Sequence, residues 1–338
     1  VKDLPADVTV IRKDDIRKIN PEGIDELLIN MAPDINIQES QFSQVRTRQI
    51  TLRGVPDQGK TLVLVDGVPI NSPWHGWLDW DLVSPESVDR MEVIRGPVSS
   101  LYGSGAMGGV INIVTALPVK SRETALKCSY GRMNTGILNL LQRGKFDKFL
   151  YSINAQIFRT DGYIAEKTIR TYNIKRNRNQ WRINSKFVFK PEDSSSFTFG
   201  FSHNYDKFGR GRRFSNWDMN TTTGYLNYSK EIKNMKLLIS LYANRNHWLV
   251  EFDKPPAYSY LFSVEDFNMW DMGANIEMNI ALKNWNKITF GIDNKYSSID
   301  QKGEYKTFPR NSRTRGKQRY IARFIQSELK LLEYRLIF

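Results

Sequence analysis

Beyond residue 120 the chain alternates. Phe149, Tyr151, Ile153, Ala155 and Ile157 share one face of an extended segment, and Trp181, Ile183, Phe187 and Phe189, with Ser185 among them, share one face of the next. The same period recurs in Phe197, Phe199 and Phe201, in Leu237, Ile239, Leu241 and Ala243, in Met272, Ala274, Ile276, Met278 and Ile280, and in Ile288, Phe290 and Ile292. Intervening positions are mostly Ser, Asn, Gln, Lys, Thr and Gly, so each segment reads as a strand with one apolar and one wet face. The connections carry a second signal. "GKFD" (144–147), "PEDS" (191–194), Lys233-Asn234 and "KNWN" (283–286) are short, and the polar stretches 161–178, 206–222, 249–268 and 300–318 between them are long. Alternating short and long links between segments of about ten residues are the pattern of a membrane barrel, with tight turns at one rim and long loops at the other. Trp181, Tyr205, Trp248, Trp270 and Trp285 fall at or beyond strand ends, where an aromatic girdle is expected.

Residues 1 to 118 have a different texture. Asn20-Pro21-Glu22 has the form of a helix start, followed by Ile24, Leu27, Leu28 and Met31 at helical spacing. "TLVLVDGVPI" predicts a hairpin turning at Asp66-Gly67, and Ser84-Pro85-Glu86 starts a second short helix leading into the strand "RMEVIRG". Gly103-Ser104-Gly105-Ala106-Met107-Gly108 matches the G-x-G-x-x-G spacing of a dinucleotide-binding loop. That motif cradles a pyrophosphate only between a strand and a helix. Here a chain-breaking Arg95-Gly96-Pro97 precedes it, and Val110-Ile111-Asn112-Ile113-Val114-Thr115, five of six β-branched, follows as a strand. The nucleotide reading fails on both sides, and the glycines are expected to serve the backbone.

Composition narrows the chemistry. The chain of 338 residues carries a net charge of +13, so nucleic acid, anionic lipid and anionic solutes are candidate partners. One cysteine, Cys128, excludes an internal disulfide framework, and His75, His203 and His247 are too dispersed in sequence to suggest a metal site or a catalytic triad. No run of 18 apolar residues predicts a transmembrane helix, and the opening "VKDLPADVTVIRKDD" does not read as a signal peptide.

"TLRGV" (51–55), "VLVDGVPI" (63–70) and above all "VDRMEVIRGPVSSLYGSGAMGGVINIVT" (88–115) resemble the plug domain of the TonB-dependent outer-membrane receptors. The motif-level similarity covers about a third of the chain; the rest matches only as a pattern of strands. The expected fold is membrane all-β: an N-terminal α/β plug over residues 1–118, then an antiparallel transmembrane β-barrel over 119–338. About ten strands are counted, whereas a lumen that holds a plug takes about 22, so the barrel is expected to be incomplete. The energy-coupling segment found upstream of the plug in this family is not seen.

The resemblance implies an energy-coupled importer of a scarce, bulky solute, most simply a ferric siderophore, with cobalamin or haem as the alternative and glycans ranked lower. No covalent chemistry, cofactor or metal site is implied. Implied partners are TonB of the inner-membrane complex, an anionic metal chelate or similar solute, and lipopolysaccharide of the outer membrane, with no nucleic acid. The long loops would face outward. Arg53 and Arg95 match plug arginines that in this family pair with carboxylates on the barrel wall. Outward plug loops are expected at 38–48 and 71–80; "NSPWHGWLDW" (71–80) holds three Trp and a His within seven residues. Gln41, Phe42, Trp74, His75 and Trp77 are the expected cargo contacts, with plug-to-barrel packing the competing reading. Over 161–178, 206–222 and 300–318 there are fifteen basic against six acidic residues, among them Arg210, Arg212, Arg213, Arg310, Arg313 and Arg315. Inward-facing charge there would suit an anionic cargo, and outward-facing charge would suit lipopolysaccharide phosphates. Two other classes compete: a non-transporting adhesin or structural barrel, which would lack the plug, and a soluble nucleic-acid-binding protein, suggested by "IKRNRNQWR" (174–182) and "RNSRTRGK" (310–317).

Overall fold

The structure is a computed structural model that describes the chain apart from residues 1–6, 20, 22, 33–34, 40–47, 53–59, 75, 77, 97, 99–104, 167, 256–257, 284–285, 309, 332–333 and 338. Gln41, Phe42, Arg53, His75, Trp77 and Trp285, all assigned roles above, lie outside the described residues.

The N-terminal unit comprises β1 (Asp7–Arg12), α1 (Lys13–Ile19), α2 (Ile24–Met31), the hairpin β2 (Ile35–Glu39) and β3 (Arg48–Leu52), then β4 (Thr61–Val65), β5 (Val68–Pro69), β6 (Val88–Arg95) and β7 (Gly109–Thr115). Its five-stranded sheet has the order β1-β6-β7-β4-β5, antiparallel except where β7 runs parallel to β4. Ile11, Ile16, Ile24, Leu27, Leu28, Val63, Met91, Val93 and Ile111 form the core beneath it. The Asp66-Gly67 turn has positive φ at both residues, 50° and 85°, as the twist-compatible two-residue hairpin requires. The glycine segment is followed by a strand and no helix. Gly109 sits at φ +146°, and a Cβ there would collide with the Ile94 carbonyl oxygen and the Leu52 side chain. The glycine therefore lets β7 enter between β6 and β4. Helix α2 begins one turn later than expected, with Gly23 at its N-cap and no capping side chain. Helix α1 escaped the sequence reading because its seven residues bury only Ile16, too little to show a period.

The wall follows: β8 (Arg122–Gly131), β9 (Thr135–Phe146), β10 (Phe149–Thr160), β11 (Arg178–Glu192), β12 (Ser195–Gly209), β13 (Asn216–Ile232), β14 (Met235–Asp253), β15 (Leu261–Lys283), β16 (Asn286–Tyr305), β17 (Asn311–Leu331) and β18 (Tyr334–Ile337). These eleven strands form one antiparallel sheet in sequence order, and it is a partial barrel. Register aligns Tyr151, Phe187, Phe199, Leu226, Leu241 and Ala274 in a continuous row across six strands. The opposite face carries the row Asn154, Asn184, Ser202, Thr223, Asn244, Asp271 and Ser297. Phe199, Leu226 and Leu241 are 48%, 43% and 45% exposed, whereas Asn154, Asn244 and Asp271 are 1%, 4% and 0% exposed. Apolar side chains outside and polar ones inside invert the arrangement that water imposes, and match the alternation of a membrane barrel.

Three expectations are corrected. The strands are longer than ten residues: β15 spans 23, so 206–222, 249–268 and 300–318 contract to links at 210–215, 254–260 and 306–310, and only 161–177 stays long. A bilayer needs about 9–11 residues of tilted strand. The excess pairs in register beyond the apolar band and mixes polar and aromatic residues without that band's alternation, which hid it from a hydropathy reading. Alternation of link length is also not strict, because three residues, Arg132–Asn134, join β8 to β9 at the long-loop rim. Finally, Trp248 is not a girdle residue. It lies on the inward face and is 5% exposed, whereas Trp181 and Trp270 are outward and exposed, Trp181 packing beside Tyr205 at 6.2 Å.

The inner face is shaped for the N-terminal unit. Gly200 lies opposite Tyr225, and a Cβ at Gly200 would overlap the Tyr225 ring, which lies flat across it and donates its hydroxyl to Asp66 Oδ2 at 2.9 Å. Gly200→Val is expected to displace that ring and lower stability by about 1–3 kcal/mol. Thermal melting of the detergent-solubilised full-length protein measures it, and an unchanged midpoint would show that the ring does not need the glycine.

Candidate functional site

The contact between the N-terminal unit and the wall is ionic, and most of its cations come from one strand. Arg178, Arg182 and Lys186 are four residues apart on β11, so all face inward. Arg178 donates to both oxygens of Asp206 on β12, at 2.8 and 2.7 Å, and to Asp81 of the N-terminal unit at 2.7 Å. Arg182 donates to the Asp81 carbonyl oxygen and to Gln156. Asp79 accepts from Asn204 at 2.7 Å and from the Asp81 backbone N–H at 3.0 Å. Burial, then the neighbouring Asp81 and Asp206 charges, push the Asp79 carboxyl up to about 7. Lower on the strand, the Lys186 ammonium donates to Asp66 Oδ1 and to Thr115 Oγ1, both at 3.0 Å. Lys127 on β8 adds a third link, to Glu86 at 2.9 Å.

The expected plug arginines do not enter these described pairs, Arg53 lying outside the described residues. Arg95 ends β6, where register sets Asp7 of β1 opposite, and it donates to Asp7 at 3.2 Å and to Thr9 at 2.8 Å. The described ion pairs across the junction join carboxylates of the N-terminal unit to cations of the wall. A crevice of about 60 Å³ remains beside them, lined by Asp66, Lys186, Tyr225, Asn154, Asn184 and Thr223. Asn154 Oδ1 and Asn184 Nδ2 have no hydrogen-bond partner, so the space suits ordered water.

Toward the long-loop rim the inner face becomes aromatic. Phe208, Met219, Trp248 and Met269 form a buried cluster, with Trp217 and Phe267 against it and Trp74 packed onto it from below. Of the two readings for Trp74, this contact favours packing against the wall. Trp80, third in the same motif, is in the core at 2% exposure. Above the cluster, the Arg210 guanidinium lies 5.8 Å from the Trp217 ring, and Arg212 lies 4.3 Å from Tyr258 while pairing with Asp253 at 3.3 Å. Arg176 pairs with Glu166 at 3.3 Å, and Arg213 lies over Phe214. Burial, then the charges of Arg212 and Arg176, lower Arg210 to about 10. Guanidiniums and indoles gathered at a mouth suit an anionic, ring-bearing solute. The other expected cations are elsewhere: Arg310 lies in the 306–310 link, and Arg313 and Arg315 pair with Asp300 on the outward face. Among the described residues no group of His, Cys, Asp and Glu has metal-holding geometry.

The family model for the TonB-dependent receptor plug domain matches residues 1–110. Over that N-terminal third the chain is a match to the plug domain of the TonB-dependent receptors. It is 40% identical over 121 residues to the ferrienterobactin receptor of Escherichia coli K12, an alignment covering 32% of this chain and 16% of that protein. Similarity to the vitamin B12 transporter BtuB of Vibrio vulnificus extends into the wall, at 27% identity over 276 residues, 78% of this chain and 44% of that one. The ferric enterobactin receptor PfeA of Pseudomonas aeruginosa, solved with enterobactin, shares the fold with a TM-score of 0.76 at 19% identity, over 98% of this chain and 57% of that chain. The chain thus spans little more than half the length of such a structure. Its N-terminal unit is the part that matches the plug, and the acid-to-base junction described above is where that plug-like unit meets the wall.

Signals for the missed residues were present. The every-fourth spacing of Arg178, Arg182 and Lys186 is visible in sequence. So are the acids Asp79 and Asp81 of "LDWDL", which flank Trp80.

Proposed function

We propose that this chain supplies the plug and part of the wall of an outer-membrane importer coupled to TonB, and that the cargo is an anionic metal chelate, most simply a ferric siderophore. The observation that carries this reading is the plug seated against the polar face of a lipid-facing wall, with Arg176, Arg210 and Arg212 and an aromatic floor at one end of the lumen. The relatives named for ferric enterobactin and for vitamin B12 support the class; the concentration of guanidiniums favours the anion over cobalamin or haem. The plug division at residue 118, the orientation with 161–177 outward, and the role of lipopolysaccharide as lipid partner belong to the same proposal.

The test is cargo binding to the complete receptor reconstituted in bilayers. Arg210→Gln with Arg212→Gln is expected to weaken binding of a trianionic ferric catecholate about tenfold, and wild-type association should slow as salt rises from about 20 to 500 mM. An association rate indifferent to salt, with unchanged affinity in the double variant, would remove the anionic-cargo reading. Preferential binding of cobalamin would instead establish the alternative.

A further inference from the structure

The outward face of β14–β17 carries charge that neither the plug nor the lumen reaches. Four lateral rows of cross-strand neighbours define it. From the rim downward they are Leu249, Asp266, Lys302 and Arg313; His247, Asn268, Asp300 and Arg315; Arg245, Trp270, Ser298 and Lys317; and Ala243, Met272, Tyr296 and Arg319. The next row down is Leu241, Ala274, Asn294 and Ile321, part of the apolar band. The parity along β17 that sends Ile321 and Ile325 outward, at 56% and 66% exposure, therefore sends Arg313, Arg315, Lys317 and Arg319 outward too.

The four rows hold six fixed cations, Arg245, Lys302, Arg313, Arg315, Lys317 and Arg319, against two carboxylates, Asp266 and Asp300. Asp266 meets His247 at 3.0 Å, and Asp300 is shared by Arg313 at 2.5 Å and Arg315 at 3.5 Å. Arg245 stacks over Trp270, its guanidinium 5.5 Å from the ring, which fixes one cation at girdle height. The corresponding rows on β11–β13 run Asn179, Lys207 and Asp218; Trp181, Tyr205 and Asn220; Ile183, His203 and Thr222; and Ser185, Phe201 and Gly224. They hold one cation and one acid. Among the described strands the cations are thus concentrated on β14–β17 relative to β11–β13, with Arg159 of β10 a single addition to the uppermost row, whereas nonspecific headgroup contact would ask for an even spread.

We infer that this facet, built on Arg313, Arg315, Lys317 and Arg319 with Arg245 and Lys302 beside them, is a binding site for the phosphate groups of an outer-leaflet glycolipid, the phosphorylated lipid A part of lipopolysaccharide. Cations immediately above an apolar band and level with its aromatic girdle lie where lipid phosphates lie, and guanidiniums bind phosphate oxygens in pairs. Alternate residues on a strand are about 6.8 Å apart, so the four β17 cations form a ladder able to hold more than one phosphate. The inference rests on the membrane orientation proposed above. It is separate from cargo capture, because the facet faces away from the lumen.

The test uses the full-length receptor in phosphatidylcholine bilayers doped with bisphosphorylated lipid A, or with lipid A stripped of its phosphates. Lipid retained after mild detergent extraction is counted by mass spectrometry, and melting is followed in parallel. Wild type should retain the bisphosphorylated lipid and melt higher with it, and show neither effect with the stripped lipid. The variant R313Q/R315Q/K317Q/R319Q should lose at least tenfold in retention while melting like wild type in phosphatidylcholine alone; R315Q/K317Q, a milder change, should lose part of it. Lys236→Gln, at the opposite rim, should leave retention unchanged. Equal retention by wild type and both variants would overturn the site while leaving the import reading intact. Stabilisation by inorganic phosphate in place of lipid would overturn the lipid assignment. A wild type that does not insert as a heat-resistant barrel in either bilayer would refute the membrane reading itself, and this proposal with it.

Discussion

Arg178→Met in the complete receptor is expected to loosen the plug more than any other single change at the junction. Arg178 is 2% exposed and stands between Asp206, which is 0% exposed, and Asp81 of the plug. Removing it leaves two buried carboxylates facing each other with only Arg182 nearby. Breaking a buried pair from one side costs about 3–5 kcal/mol, because the remaining charge has lost both water and partner. Lys186→Met should cost less: Asp66 keeps the Tyr225 hydroxyl at 2.9 Å, and the crevice beside it suits water. Two readouts separate retention of the plug from general damage. The first is leakage of a bulky dye from liposomes carrying the receptor; the second is melting of the barrel. The expected result is leakage in Arg178→Met well above wild type and above Lys186→Met, with the barrel melting changed little. Leakage at the wild-type level would mean that apolar contacts such as Trp74 on the cluster of Phe208, Met219, Trp248 and Met269 suffice to hold the plug. A paired change, Arg178→Met with Asp206→Leu, should recover much of the loss, since it removes both ends of the wall's own pair and leaves only Asp81 to be neutralised.

How far these residues were legible in the sequence depended on which periodicity governed them. The lipid face was readable from Phe197, Phe199 and Phe201 or Leu237, Ile239 and Leu241, because lipid demands apolar atoms at every second position. The same parity, counted on from Leu241 through Ala243, puts Trp248 inward and Leu249 outward. Parity from Ile321 likewise puts Arg313 and Arg315 outside, so charge pooled by loop mixed a lumen cluster with a lipid-facing one. The plug's turn at Asp66-Gly67 and the glycines before β7 were readable because local backbone geometry demands them. The junction was not. Inside a lumen, polar side chains need only match the surface of the plug, and that surface is set by contacts such as Asp81 to Arg178, 97 residues apart, which no local pattern reports.

Raising the pH from 5 to 8 is expected to weaken the hold of the wall on the plug through Asp79. Its cluster contains three carboxylates, Asp79 and Asp81 from the plug and Asp206 from β12, against two guanidiniums, Arg178 and Arg182 from β11, with Asn204 of β12 donating to Asp79. One proton makes the set neutral, and Asp79 takes it: its carboxyl is pushed up to about 7 by burial and by Asp81 and Asp206, against an ordinary value of 3.8. A carboxyl whose folded-state value is raised stabilises the folded state fully below its unfolded value, and that contribution is lost as pH rises through the folded value. The window therefore runs from about pH 4 to 7, and the hold weakens progressively as pH rises across it. Asp79→Asn carries the neutral form at every pH and still accepts from Asn204, so its plug retention should be flat across the window, matching wild type only near pH 4 and exceeding it increasingly from pH 5 to 7. The measurement is dye leakage, or protection of plug amides from hydrogen exchange, on reconstituted full-length receptor at pH 5, 6, 7 and 8. A wild type as flat as Asp79→Asn would show that Asp79 is ionised throughout, and that Arg178 and Arg182 between them stabilise all three carboxylates.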